Sequence, residues 1–276
     1  MGVLVTVDEL ADLLADDTRD VVVLDVRWKL GGPPGHATYL GGHVPGAVYV
    51  DLDTELARHG ESTDGRHPLP ALPDLEAAAR RWGIGPASTV VAYDGEGNLS
   101  AARAWWLLRW GGLTDVHLLD GALPAWVSAG QPVATDDVVP APGSVELAGG
   151  GLPVLDVEDV EEFAATGTLL DARAGERYRG EVEPVDPAAG HVPGALSAPT
   201  GANLEPDGRF RPPAELRAHF AALGVSDGAP VAAYCGSGVT AAHEVAALEI
   251  AGLPAALYPG SWSQWSNLGK PVATGA

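Results

Sequence analysis

The chain has 276 residues, 46% of them apolar, which is enough for two domains of ordinary size with normal cores. Its 16 Lys and Arg against 37 Asp and Glu give a formal net charge of −21, which speaks against nucleic acid or an anionic membrane as partner. A single cysteine excludes an intrachain disulfide or a thiolate metal cluster; no apolar run reaches the ~18 residues of a membrane span, no basic segment leads into an apolar one at the N-terminus, and the expectation is a cytoplasmic protein with a free thiol.

Along the first half, β-rich runs alternate with helical patterns. Thr6-Val7-Asp8-Glu9 is a capping box, so a helix is expected over Thr6–Ala15. Val21–Val26 reads as a strand. Gly31–Gly42 and Leu56–Pro70 are polar loops marked by Gly and Pro. Pro73–Trp82 reads as a helix with proline at its start, followed by strand Thr89–Tyr93, helix Ser100–Trp110, strand Val116–Leu119 and helix Gly121–Ala129. Ala134–Pro153 is rich in Pro, Gly and Asp and reads as a linker. A helix from about Asp156, strand Thr168–Asp171, helix Pro213–Leu223, strand Pro230–Tyr234, helix Thr240–Ala251 and strand Ala255–Tyr258 follow. Such alternation predicts an α/β fold of mostly parallel sheets flanked by helices.

The second half repeats the first. Gly42-His43-Val44-Pro45-Gly46-Ala47 recurs unchanged as Gly190-His191-Val192-Pro193-Gly194-Ala195. Leu24-Asp25-Val26-Arg27 pairs with Leu170-Asp171-Ala172-Arg173, Tyr93-Asp94-Gly95 with Tyr234-Cys235-Gly236, and Gly130-Gln131-Pro132-Val133 with Gly269-Lys270-Pro271-Val272, in the same order. Two tandem domains are therefore expected, over 1–133 and 154–276, with 134–153 between them.

The repeat lets each half serve as a control for the other. His43 and His191, Arg27 and Arg173, and the segments ending in Trp126 and Trp265 occur in both halves, which marks them as structural. Cys235 occurs only in the second half, and Asp94 takes its place in the first. It opens the loop Cys235-Gly236-Ser237-Gly238-Val239-Thr240 between an apolar run and a helix start. Convergent backbone N–H groups and a helix dipole favour an anion there, and so favour the thiolate of a reactive cysteine over a buried inert one. Ser237 and Arg177 in the second half, and Asp53 and His67 in the first, lack counterparts and are candidates to join it across a cleft between the halves.

These motifs resemble the rhodanese, or sulfurtransferase, family in its tandem-domain form. The repeated Gly-His-Val-Pro-Gly-Ala is similar to the family's first signature, and Tyr258-Pro259-Gly260-Ser261-Trp262-Ser263-Gln264-Trp265 to its second. The resemblance spans roughly Val3 to Val272 and implies two rhodanese-like domains, the second catalytic. The loop Cys-Gly-Ser-Gly-Val-Thr is the form found in mercaptopyruvate sulfurtransferases, whereas thiosulfate sulfurtransferases carry Arg and Lys there. By resemblance, Cys235 is the sulfur-carrying nucleophile, Ser237, His67 and Asp53 form a proton relay, and Arg177 holds the substrate carboxylate. Gly236, Gly238, Val239 and Thr240 then bind the donor and the persulfide through loop N–H groups.

The family's second carboxylate-binding arginine is missing. The expected Glu-Pro-Arg reads Glu183-Pro184-Val185 here, with Arg179 or Arg103 as substitutes. The implied reaction moves sulfur from 3-mercaptopyruvate to cyanide, a small thiol or a thioredoxin-like protein, with neither metal nor organic cofactor. Thiosulfate:cyanide sulfurtransfer and a persulfide carrier that does not turn over are the alternatives. A phosphatase of the Cys-x₅-Arg kind is disfavoured, because Ala241 stands where its arginine belongs.

Overall fold

The N-terminal capping box forms as the sequence dictates. Thr6 Oγ1 accepts the Glu9 N–H at 3.2 Å, and the Glu9 carboxylate accepts the Thr6 N–H at 2.8 Å. In the computed structural model, which describes residues 2–276, the chain divides into two units. The first comprises residues up to Arg58, Pro70–Leu152 and Glu205–Phe210; the second comprises His59–Leu69, Pro153–Leu204 and Arg211–Ala276. Each unit therefore includes a short segment from the other half of the sequence.

The first unit runs β1 (Leu4–Val5), α1 (Val7–Ala15), β2 (Val21–Asp25), α2 (Gly35–Leu40), β3 (Val48–Tyr49), α3 (Leu52–Glu55), α4 (Leu72–Arg81), β4 (Thr89–Tyr93), α5 (Ala101–Trp110), β5 (Val116–Leu119) and α6 (Ala122–Ser128). Its strands form a five-stranded sheet in the order β1-β5-β4-β2-β3, parallel at every pairing. The second unit runs α7 (Val160–Thr166), β6 (Thr168–Asp171), α8 (Gly175–Tyr178), β7 (Leu196–Ser197), α9 (Pro213–Ala222), β8 (Val231–Tyr234), α10 (Thr240–Ile250), β9 (Ala256–Leu257) and α11 (Ser261–Asn267). Its sheet has the order β7-β6-β8-β9, again parallel throughout. The order matches β3-β2-β4-β5, and the place of β1 is kept as a single parallel bridge between Val154 and Leu257.

β4 and β8 lie inside their sheets and are buried along their whole length, which explains their unbroken apolar sequence. The elements absent from the sequence reading are short: β1, β3 and β7 span two residues each, and α2, α3, α8 and α11 run less than two helical turns. The helix expected from about Asp156 begins at Val160, after a turn closed by Asp159 N–H to Asp156 O.

The 134–153 stretch contains no helix or strand. Its backbone is nevertheless tied down to Leu152 within the first unit: Gly143 N–H bonds Arg80 O at 2.7 Å, Ala148 N–H bonds Gly111 O at 3.0 Å, and Val145 is buried.

The repeated motifs perform the same structural work twice. At the end of β2, Arg27 pairs with Asp25 at 2.8 Å and donates to Gly42 O at 2.8 Å. At the end of β6, Arg173 pairs with Asp171 at 2.6 Å and donates to Gly190 O at 2.6 Å. The Val44 N–H donates to the Tyr93 hydroxyl at 3.0 Å, and the Val192 N–H to the Tyr234 hydroxyl at 3.1 Å. His43 and His191 stack on Tyr39 and Tyr178, each with Nδ1 on the carbonyl of that tyrosine. The indoles of Trp126 and Trp265 donate to Pro132 O and Pro271 O, both at 2.7 Å. These residues fasten turns to sheet ends, so their presence in both halves follows from the fold.

Candidate active site

Both central strands feed a loop that opens a helix, and the two loops solve one electrostatic problem differently. In the first unit the loop after β4 folds around its own carboxylate. Asp94 is buried and accepts N–H bonds from Glu96 at 2.7 Å, Asn98 at 2.9 Å, Ser100 at 2.8 Å and Ala101 at 3.2 Å. Burial pushes its pKa up and the N–H bonds oppose that shift. The loop is an anion nest at a helix N-terminus, filled by a side chain of the same loop.

The loop after β8 has no such carboxylate. Cys235 takes the place of Asp94, and its Sγ accepts the Gly238 N–H at 3.1 Å. No side chain caps the N-terminus of α10. Where the first unit turns its loop N–H groups to a carboxylate, the second turns the Gly238 N–H to a sulfur. Gly238 has φ +79°, and a Cβ there would lie 2.4 Å from Pro259 O, so the turn requires glycine.

The loop is braced by the start of α11. Cys235 N–H donates to Ser261 Oγ at 3.1 Å, Ser261 Oγ donates to Tyr258 O at 2.9 Å, and the N–H groups of Trp262 and Ser263 bond Cys235 O and Gly236 O. Cys235 itself is 2% exposed.

The segment His59–Leu69 brings two further groups to this loop. Its 3₁₀ turn, Ser62–Asp64, packs against α11. A Cβ on Gly65 would lie 2.8 Å from Gly260 O, so the approach is as close as glycine allows. The two residues that follow are Arg66 and His67. His67 Nδ1 lies 2.7 Å from Ser237 Oγ, and both side chains are buried. Cys235, Ser237, His67, Gly236, Gly238, Val239, Thr240 and Arg177 thus all belong to the second unit. His67 does so although it precedes the linker in sequence. Asp53 belongs to the first unit, on α3, where its carboxylate accepts the Trp28 indole N–H at 3.0 Å.

The arginines near the loop are engaged by acidic side chains. Arg177 Nη2 binds both Glu183 oxygens, at 2.6 and 2.9 Å. Arg179 turns to Glu181 at the surface, and Arg103 is buried in the first unit, donating to Leu56 O; neither substitutes for the missing arginine. Arg66 does. A Cβ on Gly236 would sit 3.3 Å from Arg66 Nη2 and 3.3 Å from Arg177 Nη1, so two guanidinium groups converge beside the residue after Cys235. Sequence reasoning missed Arg66, whose one signal was its place directly before His67.

Comparison with known proteins gives both halves of the chain the same family. The family model for the rhodanese-like domain matches twice, over residues 6–129 and 147–268. The chain is 47% identical over 278 residues to the "Putative thiosulfate sulfurtransferase SseB" of Mycobacterium tuberculosis, covering 99% of this chain and 97% of that one. It is 44% identical over 282 residues to the "Probable 3-mercaptopyruvate sulfurtransferase" of Pseudomonas aeruginosa, covering 99% and 98%. The crystal structure of SseA from Escherichia coli, one of the 3-mercaptopyruvate sulfotransferases, superposes with a TM-score of 0.84 at 32% identity, covering 95% of this chain and 99% of that one.

Proposed function

The chain belongs to the rhodanese family and is a sulfurtransferase; from that premise we propose that it takes sulfur from 3-mercaptopyruvate and passes it to cyanide, a small thiol or a thioredoxin-like protein through a persulfide on Cys235. The observation that carries this reading is the 2.7 Å hydrogen bond between His67 and Ser237 beside the cysteine. A thiol donor carries a proton on its reacting sulfur and needs such a pair, whereas thiosulfate does not.

In the first half-reaction the Cys235 thiolate attacks the donor sulfur. The C–S bond breaks, and its electrons leave on the pyruvate enolate. Ser237 and His67 take the S–H proton and return one to the enolate carbon, giving pyruvate. Asp53 is the proposed third member of the relay. The persulfide anion that remains occupies the nest made by the N–H groups of Gly236 to Thr240, as the Asp94 carboxylate occupies its own loop. Arg177 and Arg66 bind the donor carboxylate. In the second half-reaction the acceptor attacks the outer sulfur, and Cys235 leaves as thiolate, so the kinetics are ping-pong.

One observation favours a second reading. The loop itself is neutral, but Arg66 and Arg177 supply cations beside Gly236, and a compact dianion such as thiosulfate can use them. Steady-state rates with 3-mercaptopyruvate and thiosulfate, measured side by side with cyanide as acceptor, decide between the two. A higher kcat/KM for 3-mercaptopyruvate is expected, and a higher value for thiosulfate overturns the assignment. Donor treatment should add one sulfur atom to the wild-type mass and none to Cys235→Ser, whose circular dichroism should be unchanged. Full turnover by that variant ends the covalent scheme.

A further inference from the structure

The two arginines at the loop do not stand alone. Arg66 Nη1 donates to Asp186 Oδ1 at 2.9 Å, and Arg177 Nη2 lies 3.5 Å from Asp186 Oδ2. The Asp186 carboxylate therefore bridges both guanidinium groups, with a side chain only 2% exposed. Glu183 takes the other face of Arg177, and its carboxylate is 4% exposed. Glu183 also lies 3.4 Å from Arg173, which Asp171 holds, so Arg66, Arg177 and Arg173 meet Asp186, Glu183 and Asp171, and the cluster beside Gly236 carries no surplus positive charge.

Asp186 acts on a donor in two opposed ways. It draws both guanidinium groups toward one point, where a single oxyanion group can meet both. It also places a buried negative charge just behind that point, where any further charge on the donor is repelled.

From this geometry we infer that Asp186 sets the donor charge the site accepts, admitting monoanions and discriminating against dianions. The inference rests on the reading of the Cys235 loop as the donor site, but not on which donor is physiological. It makes Asp186 a specificity-determining residue that acts through Arg66 and Arg177.

The test uses two donors with the same sulfane sulfur and similar size that differ by one charge: thiosulfate, a dianion, and methanethiosulfonate, a monoanion. Rates of sulfur loading onto Cys235 are followed by whole-protein mass for wild type, Asp186→Asn and Asp186→Glu. Removing one unit charge about 6 Å from the donor, at an effective dielectric near ~40, should raise the thiosulfate-to-thiosulfonate rate ratio about tenfold. Asp186→Glu keeps the charge and should leave the ratio within about twofold.

A purely structural role would lower both rates together, so an unchanged ratio in Asp186→Asn overturns the inference. Wild-type protein that loads from both thiosulfate and methanethiosulfonate but turns over 3-mercaptopyruvate poorly overturns the donor assignment alone. Wild-type protein that loads from no donor overturns both.

Discussion

Gly238→Ala tests whether the cysteine loop is held as tightly as the hydrogen bonds imply. Gly238 has φ +79°, and alanine in that left-handed region costs about 1–2 kcal/mol. The new Cβ would stand 2.4 Å from Pro259 O and 3.1 Å from Pro259 Cα and C, all backbone atoms, so no side chain can swing aside. Opening the 2.4 Å contact to an ordinary C···O separation needs a shift of roughly 0.8 Å.

That shift falls on the residue whose N–H reaches Cys235 Sγ at 3.1 Å, or on the Pro259–Ser261 backbone, whose Ser261 Oγ accepts the Cys235 N–H. Overpacking adds about 1–3 kcal/mol to the conformational cost, for a total of roughly 2–5 kcal/mol. The melting temperature should fall by roughly 10 °C. The rate of Cys235 alkylation and of sulfur loading should fall about 100-fold, as expected when a reacting group moves by ~1 Å. Gly201→Ala is the control, because nothing lies within 4 Å of its Cβ position, and it should change stability by less than about 0.5 kcal/mol. A Gly238→Ala protein that melts and loads sulfur like wild type would refute the argument that this turn fixes the thiolate.

His67→Ala should cut turnover of 3-mercaptopyruvate by about 100-fold or more and that of thiosulfate by much less, because only the former has a sulfur-bound proton to move; equal losses would remove the relay. Asp94→Ala leaves the N–H groups of Glu96, Asn98, Ser100 and Ala101 without their acceptor and should lower unfolding stability by about 3–5 kcal/mol in urea titrations. A loss under ~1 kcal/mol would mean the loop does not depend on its anion. Glu244 is fully buried on α10, with its carboxylate bonded by Asn203 Nδ2 at 2.7 Å, and burial raises its pKa from 4.5 to about 7. The folded chain then keeps a proton that the unfolded chain releases, so this residue's contribution is greatest below pH ~4.5 and declines by up to about 3 kcal/mol as pH rises to ~7. Glu244→Gln has no such proton, so its urea midpoint, compared with wild type, should gain on going from about pH 5 to about pH 8. A constant difference would refute the buried ionisation.

The duplication made much of this legible in the sequence. The match of Leu24–Arg27 with Leu170–Arg173, and of the two Gly-His-Val-Pro-Gly-Ala turns, already assigned these residues to structure, and the Arg27–Gly42 and Arg173–Gly190 bonds give the reason. Cys235 stood out because Asp94 replaces it in the other copy. The central strands were read well because burial on both faces leaves a near-continuous apolar run, as at Thr89–Tyr93, Val116–Leu119 and Thr168–Asp171, whose ends coincide with the observed strands. Arg66 was not legible, because nothing local distinguishes it from any exposed arginine in a polar loop.

What the sequence by itself determined was the repeat, the parallel α/β character and the single thiol at a strand-to-helix turn, since each depends on near neighbours or on a pattern copied along the chain. Tertiary structure alone decided that His59–Leu69 packs with the second unit, that Gly65 seats that segment against Gly260, and that Arg66, Arg177 and Asp186 meet beside Gly236. The contacts of the His59–Leu69 segment join residues far apart in sequence, Arg66 and Asp186 being 120 positions apart. No local propensity encodes them, and they follow from close packing of backbone on backbone, which exists only once the chain has folded.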